Sequence, residues 1–135
     1  MSANDSQVGG SHYQSKYQHW DFVHDCLGGL YLEGCLTKYV SRWHKKNGLQ
    51  DLQKAKHYLT KLKEMAVGDD FCGGVPFKMD DVERFCKDNN LGTKERFIIV
   101  RTAAWLNMAD LEEIEVMLDE LIQNAQDFQA RAHHV

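Results

Sequence analysis

The sequence predicts an all-α fold: a small helical domain built on an αα-hairpin and followed by a further helical segment. The stretch "YLEGCLTKYVSRWHKK" sets Leu32, Cys35, Leu36, Tyr39, Val40 and Trp43 at i, i+3, i+4, i+7, i+8 and i+11, the spacing of a helix with one buried face. Beyond an Asn47-Gly48 break, "LQDLQKAKHYLTKLKEMA" carries Leu52, Ala55, Leu59, Leu62 and Ala66 on a second stripe. Two such helices joined by so short a turn form an antiparallel hairpin. It is expected over residues 31–66, with Leu36, Val40, Trp43, Leu52, Leu59 and Leu62 buried.

The other elements follow in order. Residues 1–10 read as a polar, disordered tail, and "WDFVHDCLGG" as a short helix stopped by a Gly pair. The hairpin completes a basic region, 11–67. A Gly/Pro linker over 68–78 holds Pro76, the one proline of the chain. An acidic helical region, 79–135, comes next. There "MDDVERFCKDNN" opens with two aspartates suited to a helix N-terminus. "TKERFIIVRTAAWLNM" takes Thr93 as its N-cap and places Phe97, Val100, Ala104 and Met108 on one side. The last helix has Leu111, Ile114, Leu118, Leu121 and Ile122 in register with acids opposite. These 135 residues suffice for one modest core, and the apolar stripes with Trp105 predict a homo-oligomer that hides what a monomer would expose.

No apolar run approaches the roughly 20 residues of a membrane span, and the N-terminus lacks a signal-peptide pattern, which predicts a cytoplasmic protein. The four cysteines form no CxxC and no zinc-finger spacing, so they read as reduced core residues. No metal site is predicted.

Charge is distributed unevenly. Up to Ala66 there are 9 Lys and Arg against 6 Asp and Glu, and from Val67 onward 7 against 14, for a net charge of −4. Within the basic part Lys38, Arg42, Lys45 and Lys46 fall at i, i+4, i+7 and i+8, one stripe flanking the apolar face. Lys54, Lys56 and Lys61 could deepen that edge. Such cations suit a multiply charged anion such as a nucleotide phosphate, with Tyr13, Tyr39 or Tyr58 against a base or sugar. A solvated face balanced by nearby acids fits the same pattern. His12, in a loop ahead of the first helix, could donate to a phosphate or transfer a proton. Asp51 would cap the second hairpin helix, pair with Arg42, or hold a metal. No phosphate loop, dinucleotide fingerprint, zincin motif or EF-hand occurs, and a basic edge confined to one hairpin argues against nucleic acid as ligand.

The run "GGSHYQ" followed by "LTKYVSRWHKKNGLQDLQKAKHYLTKL" resembles the bacteriophage SaV-like family of unknown function, related to the nucleotide kinase of short-tailed coliphages. The resemblance rests on His12, Tyr13, Lys38, Tyr39, Arg42, Lys45, Lys46, Asp51, Leu52, Lys54, Ala55 and Tyr58. It implies a helical, oligomeric protein of the infected host's cytoplasm that binds nucleotides without a phosphate loop. Transfer to a deoxynucleoside monophosphate would call on Mg2+ and a nucleoside triphosphate donor. His12 would then act catalytically, Tyr13, Lys38, Tyr39, Arg42, Lys45, Lys46, Lys54 and Tyr58 would hold the ligand, and Asp51 would support them. A second function suits the same residues: capture of a nucleotide signal without turnover, as an anti-defence protein would do. A third uses others: the acidic final helix would dock a host protein while the basic helix merely packs.

Overall fold

A computed structural model describes residues 2–9, 16–22, 30–68 and 77–132. These form a 3-10 turn, Ala3–Asp5, and five long helices: α1 (Leu30–Arg42), α2 (Leu49–Gly68), α3 (Met79–Asp88), α4 (Thr93–Ala104) and α5 (Met108–Ala132). No strand occurs among the described residues, and no helix is long and apolar enough to cross a membrane. The all-α fold built on an αα-hairpin stands. Residues 19–22 are helical, and the rest of the short helix expected there lies outside the described residues, as does most of the expected linker.

The hairpin halves bury Leu32, Leu36 and Val40 against Leu52, Ala55, Leu59 and Leu62, all at or below 1 % exposure. Its break is wider than the sequence suggests. α1 ends at Arg42 and a six-residue turn, 43–48, carries the chain to α2, so Trp43 is half-buried rather than core. Gly48 makes that turn possible with φ +59°, a conformation costly for residues bearing a Cβ.

The other helices close the core. α5 runs along α2 and α4, while α4 also packs on α1. Trp43, just past the end of α1, meets Glu95 in the first turn of α4, so α4 must run back along α1. Its buried face is Glu95, Ile98, Ile99, Thr102 and Ala103, about one residue round from the expected Phe97, Val100 and Ala104. The run "FIIV" is apolar on every side, and a helix wedged between two neighbours uses more than one face. Thr93 is the first helical residue, with Gly92 in the cap position. α4 stops before Met108 because Trp105 turns extended. Asn107 then caps α5 by accepting from the Asp110 amide at 3.0 Å, and the Asp110 carboxylate accepts from the Leu106 amide at 2.8 Å. Trp105 is 1 % exposed within the single chain, so it supplies no surface to an oligomer.

The expected disordered tail is instead seated on α2. Ala3 is buried, its amide donates to Glu64 Oε1 at 2.8 Å, and His57 Nε2 donates to its carbonyl at 2.6 Å. The acids of α5 face lysines: Lys63 meets Glu115 at 3.0 Å and Lys56 meets Asp119 at 2.6 Å.

One buried group opposes the fold. Glu33 on α1 is fully buried, and neither carboxyl oxygen has a hydrogen-bond partner among the described residues. Burial pushes its pKa from 4.5 up to about 7. The folded state therefore holds this proton more tightly than the unfolded one. The resulting stability is complete below pH 4.5, falls as pH rises, and is lost above about pH 7. Glu33→Gln should match the wild type at pH 4.5 and exceed it at pH 8, by at most ~3 kcal/mol. Urea unfolding at both pH values checks this; a variant less stable at pH 8 contradicts it.

Candidate functional site

Residues 6–9, residues 18–20, α1 and α2 enclose a cavity of about 570 Å³. Its wall is aromatic. Tyr39 of α1 stacks on Tyr58 of α2, with centroids 5.8 Å apart and planes inclined by 18°. Tyr31 and Trp20 meet Tyr58 edge-on at 6.2 and 5.5 Å, and Trp20 meets His57 edge-on at 4.9 Å. Burial among Cys35, Tyr31 and Tyr39 raises the Tyr58 phenol far above its ordinary value, so its oxygen stays protonated at any physiological pH. Gln7, Gln18 and Gln50 add amides to the lining. Gly9, at φ +92°, brings its backbone against Gln50 and Lys54, where a Cβ would meet Gln50 Nε2 at 3.3 Å.

Three cations converge on Tyr39. Arg42 Cζ stands 4.7 Å, Lys38 Nζ 5.3 Å and Lys54 Nζ 5.5 Å from the ring centroid, all within cation–π range. Lys54 lines the cavity, and Lys38 and Arg42 stand beside it. The Lys38 and Lys54 ammonium groups flank one ring, so they lie no more than about 11 Å apart, near enough for one polyphosphate to meet both. Neither lysine has a carboxylate partner among the described residues.

Arg42 differs. Its Nη2 donates to Asp51 Oδ1 at 3.3 Å, and Asp51 Oδ2 accepts from the Asn47 amide at 3.1 Å. The Asp51 side chain is fully buried, which makes this pair the lock of the hairpin turn. Asp51 thus both pairs with Arg42 and caps the turn. Arg42 Nε is buried with no partner among the described residues.

The expected four-cation stripe does not form as a stripe, because α1 ends at Arg42 and puts Lys45 and Lys46 in the exposed turn outside the lining. Lys54 joins Lys38 and Arg42 from the other helix. Lys56 and Lys61 do not deepen the edge: Lys56 faces α5, and Lys61 is buried against Asp21 at 2.7 Å. Burial by itself would raise the Asp21 carboxyl, but bonds from Lys61, the Gln18 amide and Asn4 hold it below the usual range. His12 and Tyr13 lie outside the described residues. The sequence reading missed Gln18, His19, Tyr31, Gln50 and His57 as lining; Tyr31, Gln50 and His57 share the side of α1 and α2 next to the buried stripe, while Gln18 and His19 precede the hairpin and carried no such signal.

Residues 8–60 match a family profile. The family is described as a protein of unknown function, DUF3310. The matched stretch holds the whole lining of the cavity except Ser6 and Gln7. No curated protein and no solved structure matches the chain. Among the described residues no group of three or more His, Cys, Asp or Glu is placed to hold a metal ion.

The lock and the cation cluster separate by mutation. Asp51→Ala strands Arg42 and the Asn47 amide and should cost about 2–4 kcal/mol in urea unfolding. Lys38→Ala and Lys54→Ala should stay within about 0.5 kcal/mol of the wild type. Equal losses in all three variants would mean that the lysines are structural.

Proposed function

We propose that the cavity binds a nucleotide or a nucleotide-like phosphate ligand, with the aromatic wall against the base or sugar and Lys38, Lys54 and Arg42 on the phosphates. The observation that carries this reading is the pair Lys38 and Lys54, held beside one tyrosine ring at the cavity with no carboxylate opposite among the described residues. Bringing like charges together is unfavourable unless a counter-charge joins them. A phosphate supplies it, through charge-assisted hydrogen bonds stronger than neutral ones. The cavity is concave and sets aromatic rings beside amide, imidazole and ammonium groups, the mixture a nucleotide's base, sugar and phosphates call for. The sequence resemblance to phage nucleotide-kinase relatives supports the same ligand class.

Capture without turnover suits the carboxylates of the described residues better than phosphoryl transfer. Transfer between two polyanions calls for Mg2+ or its equivalent. Asp21 and Asp51 are engaged by Lys61 and Arg42, and Glu33 is buried without lining the cavity. As a binder of this kind in a phage-infected cell, the protein would remove a nucleotide signal from solution; as a kinase, it would need a metal held largely by the ligands' own phosphates.

Titration calorimetry with nucleoside mono-, di- and triphosphates, with and without Mg2+, tests the proposal. At least one nucleotide should bind at micromolar concentration without Mg2+. Lys38→Ala and Lys54→Ala should each weaken it by about 1.5–3 kcal/mol, the scale of a charged hydrogen bond, with the melting temperature unchanged. If no nucleotide binds at millimolar concentration with or without Mg2+, the reading fails. Phosphate transfer in the presence of Mg2+ and a triphosphate would replace capture by kinase activity.

A further inference from the structure

Asn4 does not line the cavity, yet its polar groups tie the cavity's walls together. Its Oδ1 accepts from Trp20 Nε1 at 2.7 Å and from Lys61 Nζ at 2.9 Å. Its Nδ2 donates to Asp21 Oδ2 at 2.8 Å, and its carbonyl accepts from Gln18 Nε2 at 2.7 Å. Lys61 and Asp21 complete the knot by pairing with each other at 2.7 Å.

Two walls depend on this knot. Trp20 is fixed by its indole N–H, and Trp20 in turn sets Tyr58 and His57 edge-on. Residues 6–9 form another wall and follow directly on the segment that Asn4 anchors. Lys38 and Arg42 flank Tyr39 from α1, and Lys54, which the backbone of Gly9 also reaches, flanks it from α2. The cavity therefore has two differently supported parts: a cationic part carried by the hairpin, which the N-terminal segment meets at Gly9, and an aromatic slot that needs that segment docked.

We propose that Asn4 is a positioning residue for the aromatic slot: it acts through Trp20 and the wall at residues 6–9 chiefly on the nucleoside end of a ligand and bears far less on the phosphate end, which the hairpin carries. This rests on the reading of the cavity as a nucleotide site and deepens it by dividing recognition between two supports. A residue that merely stabilised the fold would weaken all ligands alike. One that positions the slot weakens only ligands that enter it.

The test compares inorganic pyrophosphate, which reaches the cations alone, with the ribo- and deoxyribonucleoside diphosphates of the common bases. In the wild type the best diphosphate should bind more tightly than pyrophosphate. Asn4→Ala should weaken that diphosphate roughly tenfold and change pyrophosphate by less than about twofold. Trp20→Phe, which keeps a ring and loses the N–H that Asn4 holds, should show the same selective loss. Lys54→Ala should weaken both ligands. Hydrogen exchange of residues 2–9 should slow when the diphosphate is added and not when pyrophosphate is. Equal losses for both ligands in Asn4→Ala, or no loss for either, overturn the role of Asn4 while the nucleotide site stands. A wild type that binds no diphosphate more tightly than pyrophosphate overturns the aromatic slot itself.

Discussion

The geometry of the site depends on the buried carboxylate of Asp51. It sits in the first turn of α2, where helix amides lack intrahelical partners, and it gathers the Asn47 amide on one oxygen and the Arg42 guanidinium on the other. Arg42 is the last residue of α1, so a single side chain joins the end of one helix to the start of the next. That fixes the register in which α1 and α2 face each other. The register stacks Tyr39 on Tyr58 and brings Lys54 across to the ring that Lys38 and Arg42 already flank. An unpaired carboxylate at this depth would be strongly unfavourable, which makes the lock a constraint as well as a bond.

The uneven charge of the two halves acquires a structural meaning from the packing. Acids of α5 meet Lys56 and Lys63 of α2 on one edge, while Lys94 and Arg101 of α4 meet Glu120 and Glu113 on the other. Partly exposed pairs of this sort contribute little stability each. Their effect here is selective: they engage Lys56 and Lys63 of the basic half and leave Lys38 and Lys54 without a carboxylate among the described residues. The basic edge of the sequence is therefore smaller in the fold than in the chain, and it is concentrated at one ring.

Periodicity made the hairpin legible, because Leu36, Val40, Leu52, Leu59 and Leu62 are apolar against polar neighbours at helical spacing. It failed for α4, where Phe97, Ile98, Ile99 and Val100 surround the helix and any face could be the buried one. The turn at Trp105 carried no Gly or Pro to announce it. The residue types that recognise anions were legible as well, but their sorting was not. Whether Lys61 serves a ligand or Asp21, and whether Lys56 faces solvent or Asp119, depends on elements tens of residues away. The docked N-terminal segment was hidden for the same reason. Asn4 looks like any polar residue of a tail until Trp20, Asp21 and Lys61 are assembled around it.

The central claim is that Lys38 and Lys54 stand together for an anion. It is tested most directly by lysine side-chain NMR, following the 13Cε signals, assigned by single substitutions, as a nucleoside diphosphate is added. Lys38 and Lys54 should shift together along one binding curve, while Lys56, Lys61 and Lys63, held by carboxylates, stay in place. Shifts confined to the exposed Lys45 and Lys46, or spread evenly over all lysines, would contradict the account.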